Sequence, residues 1–394
     1  MERDDPIVER FREAVEAGDF AEVRAMMAAH AELRASIDAP WFAFDKPALV
    51  HAAARMDRDM VDALLDMGAN LDVRSSWPNG PYSALHSLVD GPTPERLGFA
   101  EYLVERGATV DLHAASGLGR LDEVRAFLDA NPERVNEPGP DGATPLHLAR
   151  DRAMAELLLT RGADIDRRCV DHRSTPAMWA TDGREDVMAY LLSRGARPDL
   201  FQAVILDDPE LARSLIAEDP DALHVSVRFG SSHPHLGGGD KYVWSLRGAD
   251  TPVELARRRG SRATYAFLLE LSPPGVQLLQ AARREDAEEM EDLLALHTEL
   301  LPSLTEHQCC EILHSSEPAA RVLLARGVEP NVRDAPMGAT PLHHAAWLGK
   351  VPVARVLLAA GADPSLTDRE HHATPLEWAR HGGQQELVRL LSRS

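Results

Sequence analysis

Six residues, Thr144-Pro145-Leu146-His147-Leu148-Ala149, return as Thr340-Pro341-Leu342-His343-His344-Ala345, and more loosely as TPLEWA from Thr374, TPVELA from Thr251 and STPAMW from Ser174. Self-similarity of this kind constrains folding more than composition does. Each copy must form the same small element, and neighbouring elements must bury one another's apolar faces. A second apolar stretch follows, ending in glycine, as in LLLTRGADID, YLLSRGARPD, VLLARGVEP, VLLAAGADPS, ALLDMGANLD and YLVERGATVD. Thr-Pro suits a helix start, because the hydroxyl caps free N–H groups and proline at the first helical position loses no bond. Gly68, Gly107, Gly162, Gly195, Gly327 and Gly361 fall where the second helix must stop, a position that favours a left-handed residue. The repeating unit is therefore a helix pair that cannot cover its own apolar face.

These motifs resemble the ankyrin-repeat family, bacterial-type members included. The last two strong copies begin at Thr340 and Thr374, 34 residues apart beside the family's roughly 33. Weaker copies read at 7–38, 47–74, 83–111, 112–136, 200–223, 276–300 and 307–334. The expected fold is an all-α ankyrin-like solenoid of about twelve helix-turn-helix units joined by β-hairpin or finger connections. Residues 1–223 are read as N-terminal repeats, 224–250 as a non-repeat insertion and 251–394 as C-terminal repeats with a cap, in one continuous solenoid. Four units, ending in MMAAHAEL, FLDANPERV, LIAEDPDAL and LLALHTEL, replace the glycine stop with a longer exit.

Three connections depart from the pattern: APWFAFDKP at 39–47, SSWPNGPY at 75–82 and SVRFGSSHPHLGGGDKYVWSLRGAD before Thr251. The last is too long for an ordinary connection, and long loops inside compact architectures are usually functional or disordered. Its KYVWSL half is expected to be an extended finger turned by Gly237, Gly238 and Gly239. Removing 231–241 should then leave the stacking intact. On these connections lie Trp41, Phe42, Phe44, Trp77, Tyr82, Phe229, Tyr242 and Trp244, eight of the twenty aromatic residues in the chain. Two roles suit them: walls of a recognition site, or anchors that pack the fingers on one another.

Most of the 17 histidines dissolve into structure, since His51, His86, His113, His147 and His343 match the TPLH slot. In ankyrin repeats that imidazole ties neighbouring connections together. His233 and His235, with Asp240 nearby, can point to one side of an extended segment, but two ligands without a third and fourth do not define a zinc site. No metal and no cofactor are expected. Phosphate loops and a nucleophile elbow are absent from the sequence. Cys309 and Cys310 fall on a first helix, which fits buried small side chains rather than reactive thiols. Arg55, Arg150, Arg257, Arg283 and Arg380 recur just after the Leu-Ala core, where they either pair with neighbouring acids or offer cations to an anionic ligand.

The net charge of −21 argues against nucleic-acid binding, which needs a cationic face. The first residues, MERDDPIVER, carry no cationic run leading into an apolar one, and the three cysteines cannot build a disulfide framework, so a cytoplasmic protein free of membrane is expected. The expected function is a binding module whose concave face and aromatic fingers, with Trp41, Phe42, Phe44, Trp77, Tyr82, Tyr242 and Trp244, hold a protein segment or a small, cationic ligand. The alternative is an enzyme with a pocket between the N-terminal fingers and the 224–250 insertion, using Asp45, His233, His235 and Asp240. Neither reading fixes an oligomeric state.

Overall fold

A computed structural model describes residues 1–227, 239–246 and 251–392. The chain divides into two compact units, Met1–Tyr265 and Ala266–Ser394. Each is an all-α, ankyrin-like stack of helix pairs, and no strand occurs among the described residues. In the first unit, helices Pro6–Ala17, Ala48–Ala54, Ala84–Val89 and Leu112–Leu118 pack in succession, followed by the short turns Pro145–Leu148 and Pro176–Trp179. In the second, Pro274–Arg283, Glu306–Ser315, Pro341–Trp347 and Pro375–His381 do the same.

The Thr-Pro starts cap as their chemistry requires. Thr144, Thr340 and Thr374 each stand before the helix with Pro at its first position, and the residue three places on accepts the N–H of the threonine. That acceptor is Nδ1 in His147 and His343, and a carboxylate oxygen in Glu377. Histidine adds something glutamate cannot. Its Nε2–H donates onward to the next connection, from His147 to the Ser174 carbonyl and from His343 to the Ala373 carbonyl, both at 3.0 Å. Burial pushes His147 down to about 3, so the ring is neutral and acts as both acceptor and donor. The six helix-ending glycines all take positive φ, between 82° and 101°. The four longer exits fold into an added helical turn at Ala31–Ala35, Pro132–Asn136, Pro220–His224 and Leu300–Ser303.

Two expectations need correction. Among the described residues the connections are not β-hairpins: Gly139 N–H to Ala143 O and Cys169 N–H to Ser174 O are single closing bonds, and the one isolated bridge joins Phe42 and Lys46. The KYVWSL segment is not extended either, because Tyr242–Ser245 is a helical turn docked on the repeats. Lys241 there is 4% exposed, its ammonium 2.7 and 2.9 Å from the two Asp90 oxygens. Tyr242 is buried, with its hydroxyl 2.6 Å from Asp199. A deletion reaching Lys241 would therefore strip a buried ion pair, contrary to the expectation of a dispensable finger.

Candidate functional site

The finger tips of the first unit are stitched edge to edge by backbone bonds. Ser76 N–H donates to Asp45 O, Asp141 N–H to Gly80 O, Asp171 N–H to Asp141 O, and Asp240 N–H to His172 O, at 3.0–3.2 Å. Gly80 has φ +139° at this contact, and a side chain there would sit 2.4 Å from the Gly139 carbonyl, so glycine is what lets the two tips meet. Several tip residues, Phe44, Asp45, Asp141 and Arg173, hold positive φ without being glycine. Such conformations cost energy and persist where the surroundings fix them.

Behind this edge lies a cavity of about 390 Å³. Its aromatic walls are Phe44, Trp77, Tyr82, Trp179 and Trp244, and its titratable lining is Lys46, His86, Asp90, Arg96, Asp141, Asp171, His172, Asp182 and Lys241. Phe44 and Trp77 meet edge to face at 5.7 Å, and the Tyr82 hydroxyl donates to the Phe44 carbonyl at 3.3 Å. The protein's own cations already lie on aromatic faces, Lys241 4.1 Å from the Trp179 ring centre and Lys46 5.1 Å from that of Phe44. A neighbouring opening of about 590 Å³ shares Asp90, Arg96 and Asp182 but has no aromatic lining.

Most of these charges are committed. Arg96 donates to the carbonyls of Ser87, Leu88 and Asp90, and Lys241 is held by Asp90. Burial alone would raise the Asp90 carboxyl, but the Lys241 ammonium outweighs it and keeps Asp90 ionised. Burial, reinforced by Lys241, lowers His172 and leaves the ring neutral. Burial also lowers Lys46. Asp141 behaves oppositely to Asp90: burial, then repulsion from Asp90 and Asp171, pushes it up to about 7. Among the described residues, neither Asp141 nor Asp171 forms an ion pair with lysine or arginine, although Asp171 accepts from the Asn79 amide at 2.5 Å. The carboxyl groups facing the cavity without a lysine or arginine partner among the described residues are thus Asp141, Asp171 and Asp182, and Lys46 is the cation there without a carboxylate partner.

Sequence-derived candidates divide accordingly. Phe44, Trp77, Tyr82 and Trp244 converge on the cavity, with Phe44 and Trp244 about half exposed at 48% and 50%. Trp41 and Phe42 do not; they are buried against Phe11 at 5.8 and 6.5 Å and serve as anchors of the N-terminal core. Tyr242 is likewise buried, against Phe201 and Asp199. Asp45 pairs with Arg3 and Asp240 with Arg173, and neither lines the cavity. His233, His235 and Phe229 lie outside the described residues. Residue-by-residue reading missed Asp141, Asp171, His172 and Lys241. A usable signal existed: Asp141 and His172 occupy the tips of consecutive fingers, three places before Thr144 and Thr175.

The matching family model is that of ankyrin repeats in three copies, over residues 112–202 and 306–394. Among curated proteins the chain is similar to ankyrin repeat and SAM domain-containing protein 6 of Mus musculus, 36% identical over 90 residues, and of Rattus norvegicus, 34% identical over 120 residues. Those stretches cover 22% and 27% of this chain, and 10% and 14% of the relatives' own lengths. No described helix is long and apolar enough to cross a membrane.

Proposed function

The chain is an ankyrin-repeat protein, and from that premise we propose that it is a protein-binding module whose finger-edge cavity takes a cationic side chain of its partner. One observation carries the reading. Four aromatic side chains from three connections as far apart in sequence as Phe44 and Trp244 wall a single cavity that also contains Asp141 and Asp171, carboxyl groups with no lysine or arginine partner among the described residues. Aromatic faces attract cations through their quadrupole, worth about 0.5–2 kcal/mol according to desolvation. Asp141 is raised first by burial and then by repulsion from Asp90 and Asp171, and an incoming ammonium or guanidinium relieves the second of these. The net charge of −21 favours the same sign of partner during encounter.

The test uses short Gly-Ser peptides carrying one arginine, one lysine or one norleucine, titrated into the full chain with tryptophan fluorescence as readout. Saturable binding of the charged peptides, absent with norleucine and lost in Asp141→Asn, is the expected result. Equal response to all three peptides contradicts the proposal.

A second reading, an enzyme, is favoured by Asp141 alone. A carboxyl group titrating near neutrality in a cavity beside Lys46 and His172 has the properties of a general acid or base. It differs from the first in one respect: Asp141→Asn would abolish turnover of a bound ligand while leaving its affinity in place.

A further inference from the structure

A different constellation lies in the second unit. Cys310 and His314 are one helical turn apart on Glu306–Ser315, a spacing that puts both side chains on one face. His344 comes from Pro341–Trp347, the first helix of the next repeat, which packs against it. One ligand atom from each of Cys310, His314 and His344 lies within 4.8 Å of the other two. Tetrahedral zinc, with bonds of about 2.3 Å to sulfur and about 2.0–2.1 Å to nitrogen, needs ligand atoms roughly 3.3–3.6 Å apart, so closure asks for about an ångström of movement. The imidazoles are stacked at 4.5 Å with 22° between their planes.

The second nitrogen of each ring is already occupied. His314 Nδ1–H donates to the Cys310 carbonyl at 2.7 Å, and His344 Nε2–H donates to Asp334 at 2.7 Å. Asp334 is itself 6% exposed and accepts the N–H groups of Met337 and Ala339, each at 3.0 Å. Metal-binding histidines almost always donate their non-ligating N–H to a carbonyl or carboxylate, which fixes the tautomer and leaves the other nitrogen bare. Here one ring uses a carbonyl and the other a carboxylate. The nitrogens left for an ion are Nε2 of His314 and Nδ1 of His344.

We propose that Cys310, His314 and His344 bind a zinc ion that clips two consecutive repeats together, with the fourth tetrahedral position left to water. Thiolate with imidazole selects zinc over magnesium or calcium, which prefer oxygen. On loading, the Cys310 thiol gives its proton to solvent and the sulfur takes up the metal bond. Cys309, beside it in sequence, is outside the group.

The full chain, stripped with chelator, is titrated with zinc chloride against a chromophoric chelator, and with cobalt(II) to read ligand type. One equivalent should bind, raise the melting temperature and, with cobalt, give a thiolate charge-transfer band. Cys310→Ser should abolish the band and Cys309→Ser should keep it. His344→Gln, which replaces the imidazole by a neutral amide, should weaken zinc at least as much as Asp334→Asn, whose effect is about 10–100-fold. Helical circular dichroism of each variant shows that it folds. Failure to bind one equivalent, or zinc binding unchanged in both Cys310→Ser and His344→Gln, overturns the proposal. So does binding that disappears in a His233→Ala, His235→Ala double variant while the Cys310 and His344 variants retain it.

Discussion

Asp141 carries a stability cost together with the recognition role we propose for it. Its folded value of about 7 lies above the ordinary 3.8, so between those pH values the unfolded chain has already lost a proton that the folded chain keeps. The wild-type contribution is therefore fully present below about pH 4 and is lost as pH rises through 7. Asp141→Asn should be more stable than wild type above pH 7 by on the order of 1–3 kcal/mol, a range discounted for partial exposure, and the two should converge below pH 4 in chemical melts. The arginine peptide should meanwhile bind wild type more tightly at pH 8 than at pH 6, because only the ionised carboxyl attracts it. None of this was legible residue by residue. Connection aromatics could be counted in the sequence, but their fate depends on what packs above them. Phe11 covers Trp41 and Phe42, while no such cover excludes Trp77 from the cavity. Likewise Asp141 acquires its character from burial and then from Asp90 and Asp171, residues 51 and 30 positions away in sequence that only the stacked fingers bring near.

Helix starts and stops were the legible elements, because their signals are local. Thr-Pro with an acceptor three residues on specifies a cap, and glycine specifies an end, whatever the rest of the chain does. The 239–246 segment was misread for the opposite reason: its conformation is set by Asp90, Asp199 and Phe201, all distant in sequence. Lys241→Met tests that docking. Breaking a buried ion pair costs about 3–5 kcal/mol, and because Asp90 keeps 33% of its side chain exposed we expect about 2–4 kcal/mol in a denaturant melt. A loss under about 0.5 kcal/mol would mean that the segment is not anchored there. In the second unit, Leu342 is fully buried in the helix that follows Thr340, and Leu342→Ala should cost about 2–5 kcal/mol. Losses in repeat stacks act on nearest neighbours, so limited proteolysis should open Pro341–Trp347 and the adjoining helices first. Unchanged protection of those helices would contradict the repeat register.

At the scale of the molecule, repetition made the fold class readable and hid the site. The repeat motifs recur in both units, whereas the cavity belongs to Met1–Tyr265, where irregular connections interrupt the pattern. The function we propose lies where the repeat breaks, as expected for a scaffold that supplies stacking and leaves chemistry to its loops. The acidic net charge acts over the whole surface, so added salt should weaken the arginine peptide and leave the response to norleucine unchanged. The central claim is that the finger-edge cavity is the recognition site, and the most direct measurement is a titration of the arginine peptide into wild type, Trp77→Ala, Trp244→Ala and the double variant, with a thermal melt on each. We expect each single change to cost about 2 kcal/mol or more in binding, roughly 30-fold, with non-additive loss in the double variant and little change in melting temperature. Lowered melting temperatures with undiminished affinity would contradict the account and make these side chains anchors, as Trp41 and Phe42 are.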